Sequence, residues 1–325
     1  MKAGILAELR ASDGYVSGQE LCKKFGVSRT AIWKAINQLK QTGYEIEAVQ
    51  NRGYHIVSTP DILNENELRS IRKTEWLGNL ICYEPVMGST NTRAMQLAEE
   101  GAPHGTIVVT DRQENGRGRR GRKWETPAGA AIAMTYLLRP EIDPNNASML
   151  TLVAAMAVAR GIEDETGLRV GIKWPNDIVI HAKKVSGILT EMSAQADYVN
   201  HVVVGIGINV HIDLFPEELQ DIATSLFLEL GIKINRAALI ERICEYFEAY
   251  YDVFLQTEDL SAIAKQYDAY MVNRNQQVRV LDPKEAYEGT ARGITDRGEL
   301  LVDTWECRKR VSSGEVSVRG IYGYI

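Results

Sequence analysis

The 325 residues are 45% hydrophobic and 25% charged, as in a soluble globular protein, and their length calls for two or three domains. No apolar run is long enough to span a membrane, and the first residues place the acid Glu8 inside a short apolar stretch, unlike a signal peptide. The four cysteines (Cys22, Cys82, Cys244 and Cys307) are scattered without metal-ligand spacing, so a reduced, cytoplasmic thiol set is expected. The net charge of −6 is uneven: residues 1–60 carry eight Lys/Arg against five Asp/Glu, a basic head on an acidic body. That asymmetry points to a nucleic-acid contact confined to the head.

In the head, Ile5, Leu6 and Leu9 give one helical face. Ser17-Gly18-Gln19-Glu20 has the spacing of a capping box, predicting a helix that ends at Gly26. Ser28 caps a second helix to about Gln41, with Ile32, Ile36 and Leu39 inward. Alternation around Tyr44, Ile46 and Ala48, then Asn51-Arg52-Gly53, then Tyr54 and Ile56 predicts a hairpin. A helix-turn-helix followed by a hairpin is a winged helix. Ser28, Arg29, Thr30, Trp33, Lys34 and Asn37 then face DNA, with Arg52 at the wing tip; Trp33 reads equally as core. Pro60-Asp61 closes the unit, with a linker near residues 58–64.

Asn64 caps a helix, and the predicted strand Cys82–Val86 leads through Gly88-Ser89-Thr90-Asn91-Thr92 into a helix over Arg93–Glu100. Those small polar groups suit a polar or anionic ligand at a helix start, although plain capping by Ser89 or Thr90 explains them as well. Strands over Thr106–Thr110 and Ala130–Leu138 bracket a long loop, and an alanine-rich helix over Ala147–Glu165 follows. That loop holds Gly116-Arg117-Gly118-Arg119-Arg120-Gly121-Arg122-Lys123-Trp124. Glycine permits positive φ, expected at Gly118, and close backbone approach; arginine forks match phosphate and carboxylate oxygens. On its own the run reads equally as a solvated basic loop or an RNA-binding patch. Two strands flank Trp174-Pro175-Asn176-Asp177, so that a turn presents Lys173, Asn176 and Asp177. His181-Ala182-Lys183 turns into a strand over Lys184–Glu191, and Val202–Val210 forms another whose Gly205 and Gly207 allow close approach. Ala237–Phe254 is an amphipathic helix with Ile240, Ile243, Cys244 and Phe247 as core. Beyond residue 271, β-rich stretches at Gln276–Leu281, Ala286–Ile294, Glu299–Asp303 and Val316–Val318 form a small barrel. Its turns fall at Asp282-Pro283, Asp296-Arg297-Gly298 and Ser312-Ser313-Gly314.

The Gly116–Trp124 run, the Lys173–Asp177 segment, Lys184 with Gly187-Ile188-Leu189, and Gly205-Ile206-Gly207-Ile208-Asn209 together resemble, in order, the biotin protein ligase family. With the winged helix in front, the chain is similar to the bifunctional branch that also represses the biotin operon. The resemblance implies an α+β chain of three domains: a winged helix at 1–62, a mixed α/β ligase domain of class II synthetase-like fold at 63–271, and an SH3-like barrel at 272–325. It implies ATP-dependent ligation of biotin to a lysine of a biotin carboxyl carrier protein through biotinyl-5′-AMP, and operator binding as a ligand-promoted homodimer. Under it Lys184, Arg119 and Asp177 are catalytic, Asp177 positioning the incoming amine. Ser89, Thr90, Asn91, Gln113, Gly116, Arg117, Gly118, Arg119, Lys184 and Gly187 bind biotin or its adenylate. Arg120, Arg122, Trp124, Lys173, Asn176 and Asn209 bind ATP. Lys173 also reads as a solvated or paired surface charge, and Asp177 as a turn former. Mg²⁺ accompanies ATP, with no metal ligands identified. The competing readings are a non-enzymatic ligand-sensing repressor and a lipoate-type ligase on a related scaffold.

Overall fold

The computed structural model describes residues 1–282, 285–314, 316–320 and 324. Capping chemistry sets the head. Helices α1 (Lys2–Ala11), α2 (Gly18–Phe25) and α3 (Arg29–Gln41) precede strands β1 (Glu45–Val49) and β2 (Gly53–Ser58). Ser17 Oγ accepts from Gln19 N at 3.2 Å and Glu20 returns a carboxylate to Ser17 N at 3.3 Å, closing the capping box. Gly26 ends α2 at φ 64°, and Ser28 Oγ accepts from Ala31 N at 3.2 Å. Ile5, Leu6, Leu9, Leu21, Ile32, Ile36 and Leu39 pack with Tyr44 and Ile46 of the wing into a core of their own. Trp33 is 57% exposed, which removes it from that core.

The segment expected to be a linker is fastened at both ends. Arg10 of α1 donates to both oxygens of Glu67 at 2.7 and 2.9 Å and to Ser70, and the Tyr44 hydroxyl donates to Glu67 as well. Glu67, 1% exposed, lies on α4 (Glu65–Ile71), which Asn64 caps. Asp61 accepts from the backbone N and Nε of Arg236, both at 2.9 Å. Arg236 is 2% exposed, and its Nη1 donates to Asp111 Oδ1 at 2.7 Å and Ala131 O at 3.2 Å. Buried charges persist only when paired and hydrogen-bonded in this way.

The body is a seven-stranded sheet in the order β3-β4-β5-β9-β8-β7-β6. Its strands are β3 (Ile81–Met87), β4 (Thr106–Gln113), β5 (Ala131–Leu138), β6 (Gly171–Lys173), β7 (Asp177–Ile180), β8 (Lys183–Ala194) and β9 (Val199–Asn209). Only β3–β4 is parallel. Strand alternation gives each face its own helix. Val108, Leu137 and Val203 pack on α5 (Thr90–Glu99), while Val109, Tyr136, Leu138, Val202 and Val204 pack with α6 (Leu150–Thr166) and α8 (Arg236–Thr257). Pro85 is tolerated because β3 is an edge strand. The β7–β8 hairpin turns on His181 at φ 45° and Ala182 at φ 67°, the two left-handed positions that match strand twist.

Three expectations shift. The helix after β3 starts at Thr90 rather than Arg93, because Ser89 is its N-cap, accepting from Thr92 N. The helix expected from Ala147 starts at Leu150, the preceding Pro144–Met149 forming a 3₁₀ turn capped by Asp143. Two short helices, α7 (Leu226–Leu230) and α9 (Ala264–Tyr270), were not anticipated.

The last unit contains β10 (Gln277–Leu281), β11 (Ala286–Ile294), β12 (Leu300–Asp303), β13 (Arg308–Val311) and β14 (Ser317–Gly320). They form an antiparallel sheet in the order β13-β12-β11-β10-β14, with β13 an addition to the expected strands. Val278, Val280, Ala291, Leu300 and Val302 join the core of the body. Pro283 of the expected Asp282-Pro283 turn lies outside the described residues.

Candidate active site

The Gly–Arg run leaves the sheet at the end of β4 and returns at β5. It folds on itself: Trp124 N donates to Gly116 O at 2.9 Å and Gly118 N donates to Arg122 O at 2.7 Å. Gly116 packs so closely that a Cβ there would lie 2.2 Å from Trp124 O. Gly118 does not take the expected positive φ. It is extended at φ −108°, and the left-handed residues are Arg120 at 60° and Gly121 at 72°, where the turn falls.

Beneath this loop is a cleft. Ser89, Thr90, Asn91, Gln113, Arg117, Gly118, Arg119, Trp124, Asn176, Lys184 and Gly187, drawn from five separate stretches of sequence, all line it. One end is a polar network. Thr90 donates its N–H at 2.9 Å and its hydroxyl at 3.1 Å to Gln113 Oε1, and Gln113 Nε2 donates to Thr126 at 3.2 Å. Asn91 donates to Leu189 O at 3.2 Å and Glu191 Oε2 at 2.7 Å, and accepts from Thr135 at 2.7 Å. Gly205 is required here, since a Cβ would sit 2.1 Å from Asn91 Oδ1. Thr135 and Glu191 escaped the sequence reading. A hydroxyl at position 135, inside an otherwise apolar strand, was the available signal for the first; a carboxylate closing a strand was a weaker one for the second.

The other end is charged. Lys184 Nζ donates to Asp177 Oδ1 at 2.5 Å and lies 5.5 Å from the Trp124 ring centroid. Asp177 is the first residue of β7, not merely a turn residue; burial opposes its charge, but Lys184, the Tyr324 hydroxyl and Lys173 hold its pKa below the usual value. Lys173 is 5% exposed rather than solvated, and burial pushes its pKa down to about 8. Arg119 spans the cleft, donating to Asn176 Oδ1 at 3.0 Å and to the carbonyls of Ser313, Gly314 and Val316 between β13 and β14. Trp124 lies against Gly207, where a Cβ would be 2.4 Å from the indole, and its buried Nε1 has no partner among the described residues. Such a donor is available to a ligand.

Gly116, Arg120, Arg122, Lys173, Asp177 and Asn209 are not among the cleft-lining residues. Gly116 serves the closure of the loop, Arg120 and Arg122 face solvent, Asp177 is paired with Lys184, and Lys173 is buried. Asn209 spends its amide on Thr224 O at 3.0 Å. In the head, Ser28, Arg29, Thr30, Trp33, Lys34 and Arg52 are exposed and Asn37 is half-buried. Arg52 stacks on the Tyr15 ring at 4.2 Å. No described helix is long and apolar enough to cross a membrane, and the four cysteines are free.

Residues 83–209 match the biotin/lipoate A/B protein ligase family, residues 3–55 an HTH domain, and residues 275–319 the biotin protein ligase C terminal domain. The chain is 42% identical over 311 residues to the bifunctional ligase/repressor BirA of Bacillus subtilis, covering 95% of each. It is 29% identical over 314 residues to the protein of the same name from Escherichia coli, covering 97% of this chain and 96% of that one. The biotin protein ligase of Aquifex aeolicus solved with biotin and ATP superposes with a TM-score of 0.66 at 29% identity, over 74% of this chain and 99% of that one.

Proposed function

This chain belongs to the bifunctional ligase/repressor family, and on that footing we propose that it ligates biotin to a carrier-protein lysine through biotinyl-5′-AMP and represses transcription with that adenylate as corepressor. One observation carries the reading: a single cleft joins a polar, hydrogen-bonded floor to a cationic end beneath an arginine loop. The floor suits a ureido group, whose donors and acceptors need fixed partners once buried, and a fatty acyl chain would leave that floor unpaired.

In the first step the biotin carboxylate oxygen attacks the ATP α-phosphorus and pyrophosphate leaves. Two anions must meet, so Lys184 and the loop arginines neutralise them and stabilise the charge developing at phosphorus. Ser89, Thr90, Asn91 and Gln113 hold the ureido end. Arg117, Gly118 and Arg119 close over the adenylate, Arg119 exchanging carbonyl partners for an anion. Trp124 covers the adenine, and Arg120, Arg122 and Lys173 serve the phosphates. In the second step a carrier lysine attacks the acyl carbon, the bond to the phosphate oxygen breaks and AMP leaves; Asp177 accepts the hydrogen bond of the incoming amine. Mg²⁺ would accompany ATP and neutralise its phosphate charge; among the described residues no group of three or more His, Cys, Asp or Glu is placed to hold it.

The head presents α3 to operator DNA, and two adenylate-bound copies pair to engage a two-fold site, in the cytoplasm where carrier and operator both reside. The test is biotin-dependent pyrophosphate–ATP exchange, followed by the mass of a biotin carboxyl carrier domain after incubation with ATP and biotin. We expect exchange, a mass gain of one biotinyl group, and no competition by lipoate. Folded protein showing neither exchange nor mass gain would leave only a ligand-sensing repressor.

A further inference from the structure

Tyr324, beyond β14, sends its side chain back to the charged end of the cleft. Its hydroxyl donates to Asp177 Oδ2 at 2.6 Å, and Lys173 Nζ lies 3.3 Å from its ring centroid. The other oxygen of Asp177 is held by Lys184 at 2.5 Å. Both carboxylate oxygens are therefore engaged, and only 16% of the Asp177 side chain reaches solvent.

The transfer step needs one of those oxygens free. Lys184 is committed by its charge to the adenylate, whereas the phenol is neutral and makes a single bond to Asp177. Tyr324 is thus the partner that can yield. Its hydrogen bond is also one of the contacts holding the Asp177 pKa down, so its departure makes that carboxylate a better acceptor at the moment an amine arrives. A mixed anhydride awaiting transfer is open to attack by water as well as by amines, and a blocked Asp177 helps neither.

Resting on the two-step reading above, we propose that Tyr324 is a specificity-determining gate for the transfer step, holding Asp177 closed to water and small amines until a carrier lysine displaces it. With water the leak yields biotin and AMP; with hydroxylamine, nitrogen attacks the acyl carbon, the acyl–oxygen bond breaks, and biotin hydroxamate and AMP form as a proton passes to solvent.

The experiment compares full-length protein with Tyr324→Phe, which keeps the ring beside Lys173 and deletes the donor, and with Tyr324→Ala. Pyrophosphate–ATP exchange reads the first step. The partition of preformed adenylate among carrier domain, hydroxylamine and water reads the second. Both variants are expected to keep normal exchange and to raise hydroxamate formation and hydrolysis about tenfold, as for loss of one hydrogen bond to a charged group, with a lower KM for the carrier. Unchanged partition in Tyr324→Phe, or exchange falling in step with transfer, would overturn the gate. Absence of exchange in the unaltered protein would instead remove the ligase reading itself.

Discussion

Lys184→Ala separates two roles of one side chain. The ammonium pairs with Asp177 at 2.5 Å, the two side chains being 26% and 16% exposed. Breaking a fully buried pair costs about 3–5 kcal/mol, because a charge is stranded. Here solvent reaches both groups and Tyr324 still holds Asp177, so a loss of about 2 kcal/mol in unfolding free energy is expected. The effect on rate has another origin. Removing one donor aimed at charge developing in a transition state costs a factor of roughly a hundred to a thousand. Adding Asp177→Asn should restore most of the stability, since no stranded charge remains, and none of the adenylation rate. Urea unfolding reads the first quantity, and single-turnover formation of biotinyl-AMP under saturating ATP and biotin reads the second. Single-turnover adenylation within threefold of the unaltered protein would remove Lys184 from the chemistry and leave it a structural partner of Asp177.

Gly205→Ala forces Asn91 away from Thr135, Glu191 and Leu189 O, because its Cβ would lie 2.1 Å from Asn91 Oδ1. Calorimetry should show biotin affinity falling about a hundredfold, as stranded buried polar groups cost roughly 1–3 kcal/mol each, and an unchanged Kd would mean that Asn91 is not a biotin contact. Lys173, pushed down to about 8 by burial, loses its charge in the folded state before an unfolded lysine does. The unfolded chain then binds more protons above that pH, so the penalty for the buried ammonium, present below about pH 8, is relieved as pH rises. The KM for ATP should climb over the same interval; Lys173→Gln should flatten both profiles, and persistence of the KM rise in that variant would acquit Lys173. Operator affinity measured at fixed salt should be highest with the adenylate, lower with biotin alone and lowest for the apo protein, with sedimentation showing the matching dimer. Equal affinity in the three states would sink the corepressor role while leaving the head a DNA binder.

Local chemistry was legible where a residue acts on its neighbours. Ser17, Gly26 and Ser28 delimit helices by capping, His181 and Ala182 turn a hairpin, and short apolar runs located nearly the whole seven-stranded sheet. The cleft gathered eleven of the residues singled out for the ligand; four of them, Arg117, Gly118, Arg119 and Trp124, lie in a loop whose composition no helix or strand explains, and the family resemblance supplied the rest. Contacts made across the chain left no such trace. Position 236 read as nothing more than the residue before a helix, yet its guanidinium joins Asp61 to Asp111. For Lys173, the alternative of a solvated surface charge fell away only once the fold buried it. The charged strand Arg308–Val311 hid as an edge, where lysines and arginines are the usual protection, and Ala264–Tyr270 begins without a capping side chain.

Arg236 has a consequence for the DNA itself. Its two carboxylate partners come from the segment joining head to body and from the strand that feeds the arginine loop. With Arg10 clamped on Glu67 as well, the reading head cannot swivel on a loose tether. In the proposed dimer the two heads therefore act as fixed callipers, and the gap between half-sites is measured by protein rather than searched for. Freely hinged heads would tolerate many separations; callipers accept one, since even a whole added turn of about 10 base pairs moves the second half-site out of reach. Inserting about half a turn between the half-sites should abolish cooperative binding, and Arg236→Met should give back tolerance to that insertion while weakening the native operator.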